Sequence, residues 1–422
     1  MFINMFFPLN AGLVNFSMIF KHKNLSNGLN IVGELNPDAQ STAVGFFVRT
    51  GSRDETDEIN GVSHYLEHML FKGTDKISAF DVNLRFDELG AQYNAQTSEE
   101  NTIFYSATLP EQSYKAVELW CQMMRPALRD DDFNMEKNVI LEEIAMYKDL
   151  PQFDVLENCR ALHFGNHPCG KSVLGSADCI KALTSKQMRN YFESRYSPNN
   201  IVAAIAGNFD FEKTCGIIEQ FCGSWQQKQA DRKIEYFAGT AKKDSAQKKN
   251  LNCQHICLMS PSVSYQDRRS HAATLLAKII GDDSGSRFFW ELIDSAIAES
   301  ASMHFEAMDG IGAFYSYIRA SSQNGAKALQ VTENIFKSLK TDKIKPEELQ
   351  KAKNKVLSGI TIKNEIPMGR LIELGVNWVY LGKYRPIEEE ISLVNNVVLD
   401  DLYSLIDEFS LENFTKFSIG PE

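Results

Sequence analysis

A repeated order of predicted elements, on either side of one polar segment, constrains this chain more than any other feature. Residues 226–250, "QQKQADRKIEYFAGTAKKDSAQKKN", are lysine-rich and have the composition of a linker. On each side the pattern predicts strands, then a run of helices, then a closing strand, which is "NIVAAIAG" in the first half and "FTKFSIG" in the second. A repeated order of this kind indicates an internal duplication.

Strands that are grouped apart from runs of helices favour α+β architecture. We therefore predict two homologous halves, each a mainly antiparallel sheet with helices packed on one face. The halves are predicted as an N-terminal domain at residues 1–225 and a C-terminal domain at 251–422, joined by a linker at 226–250.

Apolar periodicity and capping residues place the individual elements. Strand–turn–strand patterns surround Asn27-Gly28 and the polar turn at residues 98–101, and residues 41–52 form an apolar strand. Helices are predicted in the first half at 61–71, 78–89, 110–126, 130–150, 153–163 and 184–194. In the second half they are predicted at 267–281, 287–299, 323–341, 345–366 and onward to about 410.

The acidic balance of the chain argues against nucleic acid as a partner. The net charge is −11 over 422 residues and the pI is near 5.4, whereas phosphate contacts need clustered Lys and Arg.

No apolar run reaches the roughly 18 residues of a membrane span. Residues 1–20 are apolar and resemble a secretion signal, but Pro8 and Asn10 interrupt them and a basic start is missing. We favour a short lead before an edge strand, and hence a cytoplasmic protein; a signal would place it in the periplasm.

Eight cysteines are present and none forms a CxxC motif, so free thiols in a reducing compartment are expected. Cys253 and Cys257 lie four apart in a predicted strand and share a face. Packing explains this pair better than a metal site does.

The stretch "HYLEHMLFKGT" carries the strongest chemical signal. On a helix, His64 and His68 share one face, and Glu67 borders the same place. Two neutral imidazoles suit Zn²⁺, and a catalytic zinc needs a third protein ligand and an open position. An exposed helical histidine pair is the alternative explanation. The predicted helix "NMEKNVILEEIAMYKD" offers a third ligand in Glu142 or Glu143, and the residues alone leave that choice open.

Four stretches together resemble the pitrilysin/insulinase family of zinc peptidases, in its branch similar to mitochondrial processing peptidase. They are "HYLEHMLFKGT", "NAQTSEENTIFYS", "EKNVILEEI" and "RYSPNNIVAAIAGN", and they occur in order through the first half. The resemblance implies a zinc endopeptidase that hydrolyses peptides or unfolded segments and binds one zinc per chain.

The resemblance also assigns roles to residues. It makes His64, His68 and Glu143 the zinc ligands and Glu67 the general base. It makes Glu136 a carboxylate that is oriented toward the site but lies outside the set of zinc ligands.

The resemblance further implies a strand that binds substrate. Asn94, Ala95 and Gln96 lie where the family adds an extended peptide to the sheet, a mode that tolerates many sequences. From the residues alone, an ordinary sheet edge explains this stretch equally well.

One departure from the family concerns the second half. Many members carry an Arg and a Tyr, seven residues apart, that help to bind substrate and stabilise the oxyanion; Ile293 and Ser300 occupy those places here. Family chains of two domains pair to enclose a chamber. We therefore expect a dimer, and favour a heterodimer with an Arg/Tyr-bearing homologous chain over a homodimer. A non-catalytic or weakly active subunit that only binds peptides is the alternative function.

Overall fold

The computed structural model describes residues 18–422, which form two sheets with their own sets of helices. The elements of the first half are β1 Ile19–Asn24, β2 Asn30–Leu35, β3 Thr42–Val48, α1 Val62–Leu70, α2 Ala79–Glu88, β4 Gln92–Thr97, β5 Thr102–Thr108, α3 Ser113–Met123, α4 Asp130–Asp149, α5 Pro151–Phe164, α6 Ala177–Ala182, α7 Ser185–Arg195, β6 Ile201–Gly207 and α8 Phe211–Cys222.

The second half repeats the order with fewer elements. They are β7 Lys243–Lys248, β8 Cys253–Ser262, α9 Ser270–Gly281, a π-helical turn at Phe289–Ile293, β9 Ser300–Met308, β10 Ile311–Ser321, α10 Gly325–Thr341, α11 Pro346–Asn364, α12 Pro367–Leu381, α13 Ile387–Asn396, α14 Leu399–Glu408 and β11 Thr415–Pro421. The predicted helix at 287–299 begins where expected but is too long, because only residues 287–293 are helical, the last five as the π-helical turn, and the chain then leads into β9.

The two sheets share one topology. The first has the strand order β1-β2-β6-β3-β5-β4 and the second β7-β11-β8-β10-β9. All pairs are antiparallel except β2 with β6 and β7 with β11, which are parallel and occupy matching places. The predicted α+β class and the two-half organisation are confirmed. The predicted lead falls mostly within residues 1–17, which lie outside the described residues. Strand β1 follows it at the edge of the first sheet.

One helix of each half packs on the sheet of the other half. Helix α12 of the second half packs on the first sheet, where Leu371 and Leu374 join Val32 and Phe47 in a buried cluster. Helix α5 of the first half packs on β8 and β11 of the second sheet. The prediction of helices on one face of each sheet is therefore incomplete, since a helix of the opposite half covers the other face.

The close approach of α12 to the first sheet depends on a glycine. A Cβ on Gly375 would lie 2.2 Å from the ring of Phe47, well inside contact distance. Any side chain there would push the helix away from the sheet. The close packing of α12 on the first sheet thus depends on the glycine at position 375.

The segment predicted as a linker is bound to both halves. Residues 229–242 lack regular structure, but Arg232 within them is buried and donates two hydrogen bonds to Asp54. Residues 243–248 form β7, so the chain joins the second sheet before residue 251.

Within residues 18–422, no helix combines the length and the apolar composition needed to cross a membrane. All eight cysteines are free thiols, as predicted. In β8 Cys257 is buried and Cys253 is half-buried.

His163 makes the packing of α5 on the second sheet sensitive to acid. It is buried, and its Nδ1 lies 3.0 Å from the hydroxyl of Thr415 in β11. Burial, reinforced by the charge of Arg160, lowers the pKa of His163 from 6.5 to about 4. Between these values the unfolded chain binds a proton that the folded chain does not, so the stability contributed by neutral His163 is present above pH 6.5 and is lost toward pH 4.

We expect a His163→Gln variant to lose less stability on acidification than the wild-type protein. The difference in unfolding free energy between pH 7 and pH 4.5 should shrink by up to roughly 3 kcal/mol, because the variant has no proton to bind at this position. Urea unfolding at both pH values measures it. A His22→Gln control changes an exposed histidine of β1 and should leave the difference unchanged. Equal acid sensitivity in wild type and His163→Gln would contradict the prediction.

Candidate metal centre

Helix α1 begins at a backbone turn that favours glycine. Gly61 has φ of +96°, and a Cβ there would lie 2.5 Å from a carbonyl oxygen of a neighbouring loop. The buried carboxylate of Glu55 accepts hydrogen bonds from the N–H groups of Gly61 and Ser63, both at 2.7 Å, which satisfies amides left free at the helix start. This start fixes the direction of the helix, and His64 and His68 then share one face.

Helix α4 packs beside α1 and brings carboxylates to that face. Phe133 and Ile140 bury one side of α4, and the Phe133 ring stacks on Tyr65 of α1 at 4.8 Å between centroids. Glu136 and Glu143, seven residues apart, both reach the histidines of α1.

His64, His68 and Glu143 form a group that could hold a metal ion. Glu143 Oε2 lies 3.8 Å from His64 Nε2 and 3.6 Å from His68 Nε2, and the three donor atoms all lie within 4.8 Å of one another. Ligand atoms at about 2.0–2.2 Å from a tetrahedral zinc ion are about 3.3–3.6 Å apart. The two distances from Glu143 are close to this spacing, and the donor set, two imidazoles and a carboxylate, fits zinc.

Glu136 contacts the ring nitrogen of His68 that faces away from Glu143, and Lys72 in turn pairs with Glu136. Glu136 Oε1 lies 2.9 Å from His68 Nδ1, and its Oε2 lies 2.5 Å from Lys72 Nζ. Burial lowers the pKa of His68, but the hydrogen bond to Glu136 and the nearby carboxylates outweigh burial and raise it. The contact directs Nε2 of His68 toward Glu143, which is how carboxylates orient metal-binding imidazoles.

His64 is the more buried of the two histidines. Its burial, reinforced by the adjacent His68, lowers its pKa to about 3, so the imidazole is neutral at physiological pH and has a lone pair to offer a metal. Its Nδ1 has no hydrogen-bond partner among residues 18–422.

Glu67 is held beside this group by the edge strand of the sheet. The Thr97 hydroxyl, at the end of β4, donates a hydrogen bond to Glu67 Oε2. Burial raises the pKa of Glu67, and the bond from Thr97 offsets only part of that rise. A carboxylate whose pKa is raised toward neutrality is suited to accept and release a proton.

The structure distinguishes the two glutamates that the residues alone left open. Glu143 faces the histidines, whereas the neighbouring Glu142 is exposed and joins no such group among the described residues. The role of Glu143 as a zinc ligand stays a prediction.

Asn94, Ala95 and Gln96 lie in β4, at the free edge of the first sheet. Ala95 and Thr97 are half-buried on the α1 side, and Asn94 and Gln96 are exposed on the other. The backbone N–H of Ala95 donates a hydrogen bond to the side-chain oxygen of Asn94 at 2.9 Å. Among residues 18–422, β5 is the only strand that pairs with β4, so this edge has room for an extended peptide. Its use by substrate stays a prediction.

Ile293 ends the π-helical turn and Ser300 begins β9. Neither side chain can act as the guanidinium or phenol of the family pair. In a homodimer another group would have to replace the pair, and the sequence offers His304 or Tyr315 as candidates. These two side chains stack on each other across β9 and β10, at 5.0 Å between ring centroids. Neither makes a hydrogen bond or ion pair to the metal group within residues 18–422.

Sequence reasoning missed three supporting residues, Glu55, Lys72 and Thr97. Lys72 lies two residues beyond the end of α1, so helical spacing does not place it. The contacts of all three depend on how loops, sheet and α4 pack on α1, and no local pattern reveals them.

Comparison with known proteins decides the family. Residues 30–177 match the model described as "Insulinase (Peptidase family M16)", and residues 182–356 match the model described as "Peptidase M16 inactive domain". The chain belongs to the insulinase family, peptidase family M16. The single metal group of residues 18–422 lies in the half that matches the first model.

Full-length relatives in this family carry the name zinc protease. An uncharacterized zinc protease from Bacillus subtilis, YmxG, is 29% identical over 405 residues, covering 96% of this chain and 98% of the relative. An uncharacterized zinc protease from Rickettsia felis is 28% identical over 413 residues, covering 95% and 98%.

Solved structures show the same M16 fold at low sequence identity. A protease from Helicobacter pylori has a TM-score of 0.88 at 20% identity, with 96% of this chain and 100% of that chain covered. A peptidase M16 inactive domain from Pseudomonas fluorescens has a TM-score of 0.88 at 17% identity, with 96% and 98% covered.

Proposed function

We propose that this chain is a zinc-dependent endopeptidase that hydrolyses peptides or unfolded segments, with Glu67 as general base. The observation that supports it most is the meeting of His64, His68 and Glu143 beside a buried Glu67. The names of the M16 relatives, zinc proteases, agree with it.

His64, His68 and Glu143 would hold one zinc ion. When bound, zinc supplies positive charge that makes a water molecule more acidic and polarises the peptide carbonyl. Neutral His64 binds without first losing a proton. The raised pKa of His68 means that protons compete with the metal for this imidazole, so binding weakens in acid.

Glu67 moves the proton in this proposal. Its carboxylate takes a proton from the attacking water, holds it while the tetrahedral intermediate forms, and gives it to the nitrogen of the leaving amine as the C–N bond breaks. Thr97 keeps the carboxylate in place through the hydrogen bond to Oε2. One carboxylate thus serves as base and then as acid.

Strand β4 would present the substrate. An extended peptide that adds to this edge, along Asn94, Ala95 and Gln96, pairs through its backbone and needs few particular side chains. The β4 edge ends at Thr97, beside Glu67, so a peptide paired there is led to the proposed base.

A second chain would complete the site. Ile293 and Ser300 provide no Arg or Tyr, and loss of one oxyanion donor typically costs about 10²–10³ in kcat. We therefore propose a dimer, with a heterodimeric partner that carries the Arg/Tyr pair favoured over a second copy of this chain.

Activity on a mixed peptide pool tests both proposals. The purified chain is sized, and each fraction is assayed by mass spectrometry with chelator, after zinc is restored, and with an Arg/Tyr-bearing homologous chain. We expect weak cleavage that chelation abolishes, that zinc restores, and that the partner raises about 100-fold. No cleavage by zinc-loaded protein in any fraction would favour the peptide-binding module. A homodimer with kcat of about 1–10 s⁻¹, unchanged by the partner, would overturn the heterodimer.

A further inference from the structure

The turn between β4 and β5 is held by residues of the second half. Glu100 in this turn is 1% exposed. Its carboxylate accepts hydrogen bonds from the backbone N–H of Asp309 at 3.0 and 3.1 Å and from the Tyr380 hydroxyl at 2.7 Å. Arg53 of the first half also donates to it at 2.6 Å, and Arg232 Nη1 lies 3.7 Å from its Oε1. A charged group in a first-half turn is thus anchored mainly by the β9–β10 turn and by α12.

Further contacts close around the same turn. Asn101 donates a hydrogen bond to the Tyr380 hydroxyl at 2.8 Å. Arg232, from the segment between the halves, donates to the backbone oxygen of Glu100 at 2.5 Å while it pairs with Asp54. Three separate parts of the chain outside the first sheet therefore converge on this one turn.

Charged groups buried in this way specify position more than they add stability. A buried ion pair recovers little beyond the cost of removing its charges from water, but a displaced partner leaves a charge unpaired. Both carboxylate oxygens of Glu100 share the single backbone N–H of Asp309, so a small shift of the turn would break this contact. The contacts hold the turn at one place relative to the second half.

The turn adjoins the proposed base. Thr97 is the last residue of β4, and its hydroxyl donates to Glu67 Oε2. The next residue, Ser98, donates its backbone N–H to the Asn101 oxygen at 2.8 Å, which closes the turn directly behind Thr97. Glu100 lies three residues after Thr97, so a displacement of Glu100 would also displace the Thr97 hydroxyl that contacts Glu67.

We infer that Glu100 is a positioning residue through which the second half sets the place of β4 and of Thr97 beside Glu67. Its catalytic consequence rests on the proposed function, but its effect on β4 does not. The half that matches the family's inactive-domain model would then serve the site without touching substrate.

The chain contains a matched control in Glu34. It is 2% exposed and also crosses between the halves, accepting hydrogen bonds from Arg370 at 2.6 and 2.5 Å and from Tyr384 at 2.8 Å. Glu34 lies in β2, which three strands separate from β4 in the sheet. Glu34→Gln and Glu100→Gln remove equally buried charges, but only the second is next to Thr97.

Hydrogen exchange of β4 tests the positional effect without any catalytic assay. The β4 amides that bond to β5 are followed in full-length wild type, Glu100→Gln and Glu34→Gln, at a temperature where urea unfolding shows all three folded. We expect at least a 10-fold loss of protection across residues 92–97 in Glu100→Gln and no change there in Glu34→Gln. Tyr380→Phe, which removes two hydrogen bonds and no charge, should give a smaller loss and serves if Glu100→Gln does not fold. Unchanged β4 protection in Tyr380→Phe and Glu100→Gln, or an equal loss in Glu34→Gln, would overturn the inference.

A double-mutant cycle with Thr97→Val tests the catalytic consequence. If Tyr380→Phe acts through Thr97, its effect on kcat/KM for an extended peptide should shrink at least threefold in the Thr97→Val background. The effects of Glu34→Gln and Thr97→Val on kcat/KM should simply multiply in the double variant. Multiplicative effects for Tyr380→Phe would overturn the route through Thr97. Loss of β4 protection in a protein that cleaves no peptide would refute the proposed function while supporting the positional role.

Discussion

A Glu67→Gln variant is expected to keep its zinc and its fold and to lose peptide hydrolysis by about 10²–10⁴-fold. The amide has nearly the shape of the carboxylate and can still accept the hydrogen bond from Thr97. It cannot take a proton from water or return one to the leaving amine, and that transfer is worth about this factor. Rates on a defined peptide, with zinc measured in the same sample, give the result.

The matched control for this variant is Glu142→Gln, which makes the same change on an exposed position of α4. It should cleave at the wild-type rate. If metal-loaded Glu67→Gln turned over within a few fold of wild type, Glu67 would not be the base. If Glu67→Gln also lost zinc, the lower rate would come from the missing metal. The variant would then give no support to Glu67 as the general base.

The helices of the centre were predictable because their signals are local. Spacing alone put His64 and His68 on one face, and α4 appears at Asp130–Asp149 where 130–150 was predicted. The apolar spacing of α8, with Phe211, Cys215 and Ile218 on its buried side, was equally readable but was overlooked. The prediction at 287–299 failed for another reason, since Ala296 has φ of +57° and ends the helix without a glycine or proline to mark it.

The contacts that join the halves were not readable from the sequence. Residues 226–250 have the composition of an exposed linker, yet Arg232 is buried against Asp54. Helices α5 and α12 show apolar faces, but a face does not state which sheet it covers. Such features are settled by tertiary packing, and Glu100 and Thr97 belong to the same class.

The ligand assignment predicts a graded loss of metal along α4. Changing a residue that only orients a ligand costs about 10–100-fold in metal affinity, so Glu136→Gln should lose that much, because it contacts His68 without joining the donor group. Glu143→Gln should lose more than about 100-fold, because it replaces a charged donor atom by a neutral amide oxygen. Glu142→Gln should lose nothing.

Zinc content after dialysis against a competing chelator, measured by elemental analysis for the three variants, establishes the order. The three changes are chemically identical and lie on one helix, so a general effect of lost negative charge predicts similar losses for all three. Only the arrangement in which Glu143 binds, Glu136 orients and Glu142 faces solvent predicts three different values. A loss in Glu142→Gln equal to that in Glu136→Gln would point to a general charge effect and remove the orienting role of Glu136. Full zinc in Glu143→Gln would remove Glu143 from the centre, and with it the argument that the third ligand comes from α4.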